Sequence, residues 1–95
     1  MIELTTFRPA AGTSEAELLE ADRLVQTRFA PHQRGFLRRT TARAADGGWL
    51  VVVLWASQDE AEAAAGRAAT DAHACAFVAL ADPATLEVRR YTELD

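Results

Sequence analysis

Trp49-Leu50-Val51-Val52-Val53-Leu54-Trp55 is the stretch on which the fold turns. In an extended chain successive side chains point to opposite sides, so Trp49, Val51, Val53 and Trp55 share one side and Leu50, Val52 and Leu54 the other. Both sides are apolar, and such a strand has to be covered twice. Ninety-five residues hold enough helix for one cover. The second cover is expected to be another copy of the same chain.

Outward from this strand, Ala45-Asp46-Gly47-Gly48 is a hairpin loop, because Asp and Gly tolerate positive φ. It joins the central strand antiparallel to Phe36–Ala44. On the other side, Ser57 with Glu60 has the spacing of a capping box and starts a helix whose inner positions are Ala61, Ala64, Ala65 and Ala68. These alanines offer methyl groups opposite the tryptophans, leaving either close packing or an apolar cavity suited to a flat ligand. Trp55, beside the cap, is the tryptophan expected against the helices.

The N-terminal part repeats the pattern. Ile2–Arg8 alternates as a strand and stops before Pro9 and Gly12, and Ser14 with Glu17 caps a helix running to about Ala30. Leu18, Ala21, Val25 and Phe29 lie along one stripe of it. Asp22 borders that stripe and is expected as a solvated flank, although a carboxylate partly buried there could serve as a base. After the alanine-rich helix, Thr70 and Asp71 begin a further turn carrying His73, Phe77 and Leu80 on one face, and Thr85–Leu94 is a last strand. The order strand, helix, strand, strand, helix, strand over residues 1–95 is that of a single ferredoxin-like α+β sandwich: a four-stranded antiparallel sheet with helices on one face. The bare face exceeds what monomers usually expose. Burying roughly 600 Å² of it at about 25 cal/mol per Å² is worth roughly 15 kcal/mol before association costs, so a homodimer closed sheet to sheet into an α+β barrel is expected.

Composition narrows the function classes. The net charge of −4 opposes a general nucleic-acid or anionic-membrane surface, so neither nucleic acid nor membrane is expected as a partner. All ten basic residues are arginine, and the absence of Lys and Asn removes any chemistry that needs an amine or an asparagine amide. One cysteine, Cys75, allows no internal disulfide, and the sequence shows no secretory signal, which together fit the cytoplasm. Phosphate-cradling glycine loops, zinc spacings and dinucleotide fingerprints are absent, and no metal ligand set is expected.

The runs MIELTTF, SEAELLEADRLVQ, PHQRGFLRR, GGWLVVVLWAS and DPATLEVRRY resemble the dimeric α+β barrel superfamily, and within it the antibiotic biosynthesis monooxygenase-like group. Gly35-Phe36 before the second strand and the spacing Val52, Trp55, Ser57 into the second helix carry the resemblance most specifically. It implies a cofactor-independent monooxygenase acting on a hydrophobic aromatic substrate, with heme binding as a rarer property of the superfamily. Where those enzymes use an Asn on the first strand and a Trp near the second helix, this chain has Thr5, Thr6 and alanines, and His73 matches the histidine of the heme degraders. The candidate site is therefore His73 as base, with Phe7, Phe36, Trp55, Phe77 and Tyr91 as walls of a pocket for a small aromatic ligand and no cofactor. A non-catalytic ligand-binding or accessory dimer is the alternative, and a heme protein the third. Arg38, Arg39, Arg43, Arg89 and Arg90 are expected on the sheet edges, where charge discourages unwanted strand pairing and could form a cationic rim.

Overall fold

A computed structural model describes residues 1–95. Strands β1 (Ile2–Phe7), β2 (Phe36–Arg43), β3 (Trp49–Trp55) and β4 (Glu87–Tyr91) form one sheet in the order β2-β3-β1-β4, antiparallel at every pairing. Helices α1 (Glu15–Leu24), α2 (Gln58–Ala68) and α3 (Ala72–Val78) complete the ferredoxin-like α+β fold. The doubly apolar strand lies in the interior of the sheet, paired to β1 on one side and β2 on the other.

Residues opposite each other across an antiparallel pair share a face. Val53 opposes Glu3 and Arg39, Val51 opposes Thr5 and Thr41, and Trp49 opposes Phe7 and Arg43. The face holding Trp49, Val51, Val53, Trp55 and Phe7 packs on Leu18, Val25, Phe29, Ala61, Ala64 and Phe77 in one core cluster. Both tryptophans thus lie beneath the helices, each 5% exposed, which corrects the assignment of Trp55 alone. The alternation leaves no other outcome, since residues six apart in a regular strand point the same way. On the opposite face Ile2, Leu4, Leu50, Val52 and Leu54 stay half-buried with no helix over them.

The sequence signals for element ends hold locally. Ser14 and Glu17 form a complete capping box, each side chain accepting from the other's backbone N–H. At α2 only half of that motif forms: Ser57 accepts from the Glu60 N–H at 3.2 Å, while the Glu60 carboxylate turns toward Gly35. Gly35 has φ +80, and a Cβ built there would fall 1.6 Å from Glu60 Oε2, so both conformation and space require glycine. Asp71 caps α3 by accepting from the Ala74 N–H at 2.9 Å.

The first helix departs from the expected regular run to Ala30. It changes at Val25–Phe29 into a π-helical turn and then into a 3₁₀ turn at Ala30–His32. The Ala30 N–H reaches back five residues to the Val25 carbonyl, and Val25 and Phe29 are both buried. The last strand is shorter than Thr85–Leu94, because Asp82 and Thr85 form a turn that holds the chain until Glu87.

Candidate functional site

An open-mouthed cavity of about 160 Å³ lies between the helices and the sheet. Of its 16 lining residues 13 are hydrophobic. Val51, Val53 and Trp55 come from β3, Val25, Phe29 and Ala30 from the π and 3₁₀ turns, Ala61, Ala64, Ala65 and Ala68 from α2, and Ala74, Phe77 and Val78 from α3. The alanines leave the space: where α1 fills its groove with Leu18 and its π extension with Phe29, α2 presents only methyl groups.

Three polar residues complete the lining: Glu3, Thr5 and Arg39. Glu3 accepts from Arg90 Nε at 2.9 Å, so its charge is met within the chain. Arg39 is the one charged residue of the core, 8% exposed. Its Nη1 pairs with Asp22 Oδ1 at 2.7 Å and donates to Gln26 Oε1 at 3.2 Å, and its guanidinium carbon stands 5.4 Å from the centre of the Phe77 ring. Asp22 Oδ1 also accepts from the Thr41 hydroxyl at 2.7 Å. Two side chains, Asp22 and Gln26, therefore hold the guanidinium, Thr41 steadies Asp22, and the Phe77 ring face adds a cation–π contact. The Trp55 Nε1–H, also in the lining residue set, is buried with no acceptor. A buried donor left unpaired costs about 1–3 kcal/mol.

The six residues expected at the site separate. Trp55 and Phe77 line the cavity. Phe7 stacks on Trp49 at 6.2 Å and meets the Phe77 ring edge-on at 5.6 Å, outside the cavity lining. Phe36 packs edge-on to Trp55 at 6.0 Å, on the edge strand. Tyr91 opposes Ile2 on the helix-free face and is 43% exposed, so it is no part of this pocket. His73 lies in a separate groove between α1 and α3, lined with Glu17, Glu20, Ala21 and Leu80. The expectation that it points between helix and sheet is corrected: α3 turns Ala74 and Phe77 inward, and one position away from Ala74 is about 100° around the helix. A base must stand within hydrogen-bond reach of the proton it takes, and His73 does not line the cavity.

Arg39 lies on the edge strand β2 as expected, but buried beneath α1 and not on an exposed rim, and Asp22 is its ion-pair partner, not a solvated flank or a base. A strand-parity signal existed, because Arg39 falls on the side of β2 that carries Thr41. The pairing with Asp22 joins residues 17 positions apart and has no local signature. Heme fits poorly: no His, Cys, Tyr or Met lines the cavity to supply an axial ligand, and the volume is near that of a single ring. Nor do three His, Cys, Asp or Glu side chains meet as a metal-binding group.

Neither a family model nor a curated protein sequence matches the chain. Solved structures do. SnoaB, a cofactor-independent oxygenase from Streptomyces nogalater, superimposes with a TM-score of 0.80 at 23% identity over 99% of this chain and 92% of that one. The fold is that of the antibiotic biosynthesis monooxygenase-like proteins. A proposed monooxygenase of that kind from Nitrosomonas europaea matches at TM-score 0.76 and 17% identity, covering 99% and 98% of the two chains. A dimeric ferredoxin-like protein of unknown function from Jannaschia matches at 0.68 and 14%, over 93% of each. At these identities the likeness concerns the fold.

Proposed function

We propose that this chain binds a hydrophobic aromatic compound in the cavity between helices and sheet and oxidises it as a cofactor-independent monooxygenase-like protein. The observation that carries the reading is the cavity itself, apolar on nearly every side and walled by Trp55 and Phe77, in a fold shared with SnoaB. Without a cofactor the substrate supplies every electron: a CH₂ group becoming C=O gives four, one atom of O₂ enters the product and the other leaves as water. The protein's part is then to hold an electron-rich ring in a dry, shaped space and to steady the charge that develops on it.

Two copies are proposed to meet through the helix-free face, whose half-buried Ile2, Leu4, Leu50, Val52 and Leu54 support an apolar interface. No helix is long and apolar enough to cross a membrane. A lone, exposed Cys75 supports a reducing, cytoplasmic setting.

Oxygen consumption by an electron-rich phenol or quinol, measured with purified protein and no added flavin or metal, tests the catalytic reading. The absence of both oxygen uptake and ligand binding would reject it. One observation favours the non-catalytic alternative, a ligand-binding dimer: the one carboxylate in the cavity lining, Glu3, is held in an ion pair with Arg90. Tryptophan quenching by the ligand with no oxygen uptake would select that alternative.

A further inference from the structure

We infer that the cavity is built for a single aromatic ring bearing a hydrogen-bond-accepting oxygen, a phenol in its simplest form, with Arg39 as the residue that reads the oxygen. The inference rests on the proposed binding role of the cavity and adds the size and polarity of what enters it. Size follows from volume. An apolar cavity of about 150 Å³ takes one benzene, whereas drug-sized ligands occupy pockets of roughly 300–1,000 Å³. This cavity measures about 160 Å³. The space left between Trp55, Phe77 and the alanines of α2 takes one ring, and fused three-ring systems exceed it.

Polarity follows from the donor inventory. Both contacts that fix Arg39, to Asp22 and to Gln26, use Nη1. A guanidinium carries five N–H donors and no acceptor, so Nε and Nη2 keep donors to offer. The Trp55 N–H is also unpartnered, but it is sealed within the packing, so of the two Arg39 is the donor left to a ligand. Of the acceptors in the lining, the Glu3 carboxylate is occupied by Arg90, while the Thr5 hydroxyl can donate or accept and so suits a ligand oxygen as well. A ligand that completes this set brings an oxygen to accept, and its ring lies against the same Phe77 that the guanidinium faces. Arg39 is thereby a specificity residue, held ready by Asp22 and Gln26 before any ligand arrives.

The test is a fluorescence and calorimetric titration of the full chain with phenol, toluene, 1-naphthol and 1-hydroxyanthraquinone. Phenol is expected to bind at least tenfold tighter than its isostere toluene and than 1-naphthol, with no binding of the three-ring compound. In the double variant Arg39→Met/Asp22→Leu, which removes both charges together, phenol is expected to lose about tenfold while toluene is unchanged. Arg39→Lys, which keeps the charge but loses the forked guanidinium donors, provides a second variant with the same expected direction. Equal affinity for phenol and toluene overturns the oxygen-reading role. Binding of 1-hydroxyanthraquinone as tight as phenol overturns the single-ring limit while leaving the aromatic-binding reading intact. Failure of all four to bind removes that reading and this inference together.

Discussion

Ala64→Leu decides whether the alanine face of α2 borders usable space or a closed contact. Ala64 is 2% exposed and lines the cavity. Leucine adds three carbons, and at about 0.8 kcal/mol for each buried group the gain is roughly 2.4 kcal/mol if they enter a void. Helix propensity returns only a few tenths of a kcal/mol, since leucine ranks just below alanine. The expected result is stabilisation by about 2 kcal/mol, read as a urea midpoint raised by about 2 M for a slope near 1 kcal/mol per M. Protomer concentration has to be the same in both experiments, because dimerisation would shift the midpoint by mass action. The same substitution should weaken phenol binding at least tenfold by occupying its place. If instead the variant loses about 1–3 kcal/mol, the penalty of overpacking, and the parent's ligand affinity survives, the space is no cavity and the argument built on it fails.

Removing the carboxylate alone, in Asp22→Ala, should destabilise the protein by about 3–5 kcal/mol, because it strands the buried guanidinium of Arg39. Arg43→Ala, which breaks the exposed pair with Glu15, should cost at most about 1 kcal/mol, and equal losses in the two urea titrations would contradict the burial of Arg39. Val52→Arg introduces a charge at the centre of the helix-free face, between Leu4 and Thr40, and should shift sedimentation to single subunits; a parent already monomeric at micromolar concentration would end the sheet-to-sheet proposal. The Asp46 carboxyl is held below the usual aspartate range, first by the Gly48 N–H and then by the nearby Arg8 charge. A depressed folded pKa means that its contribution to the β2–β3 hairpin is present above the unfolded-state value and is lost as pH falls from there through the folded one. The Gly48 amide resonance, followed by NMR in acid, should titrate with a midpoint below that of an unstructured Asp, and a midpoint at or above it would refute the turn's role.

The strand at Trp49–Trp55, the two serine caps, the Asp71 cap and the hairpin at Asp46-Gly47 are decided by neighbours within a few residues, and the sequence sufficed to order the elements and to expect a two-layer sandwich. A stripe of alanines raised the question of a cavity without answering it, because close packing and a void share the same local pattern. The answer depends on how far α2 stands from β3, and that is set by the bulk of Trp55 on β3 itself and of Phe29 and Phe77 on two other elements. Helical spacing put His73 on a face with Phe77, yet the packed structure turns Ala74 and Phe77 to the core and leaves His73 in the groove toward α1, outside the cavity. Arg39 does stand on an edge strand, yet its side chain is buried where Asp22 and Gln26 are close enough to hold it, and that pairing was not legible in the sequence. Local periodicity states which side of an element is apolar; only the packed structure states which polar group on that side has found a partner, since desolvation and pairing are properties of the assembled interior and not of the chain alone.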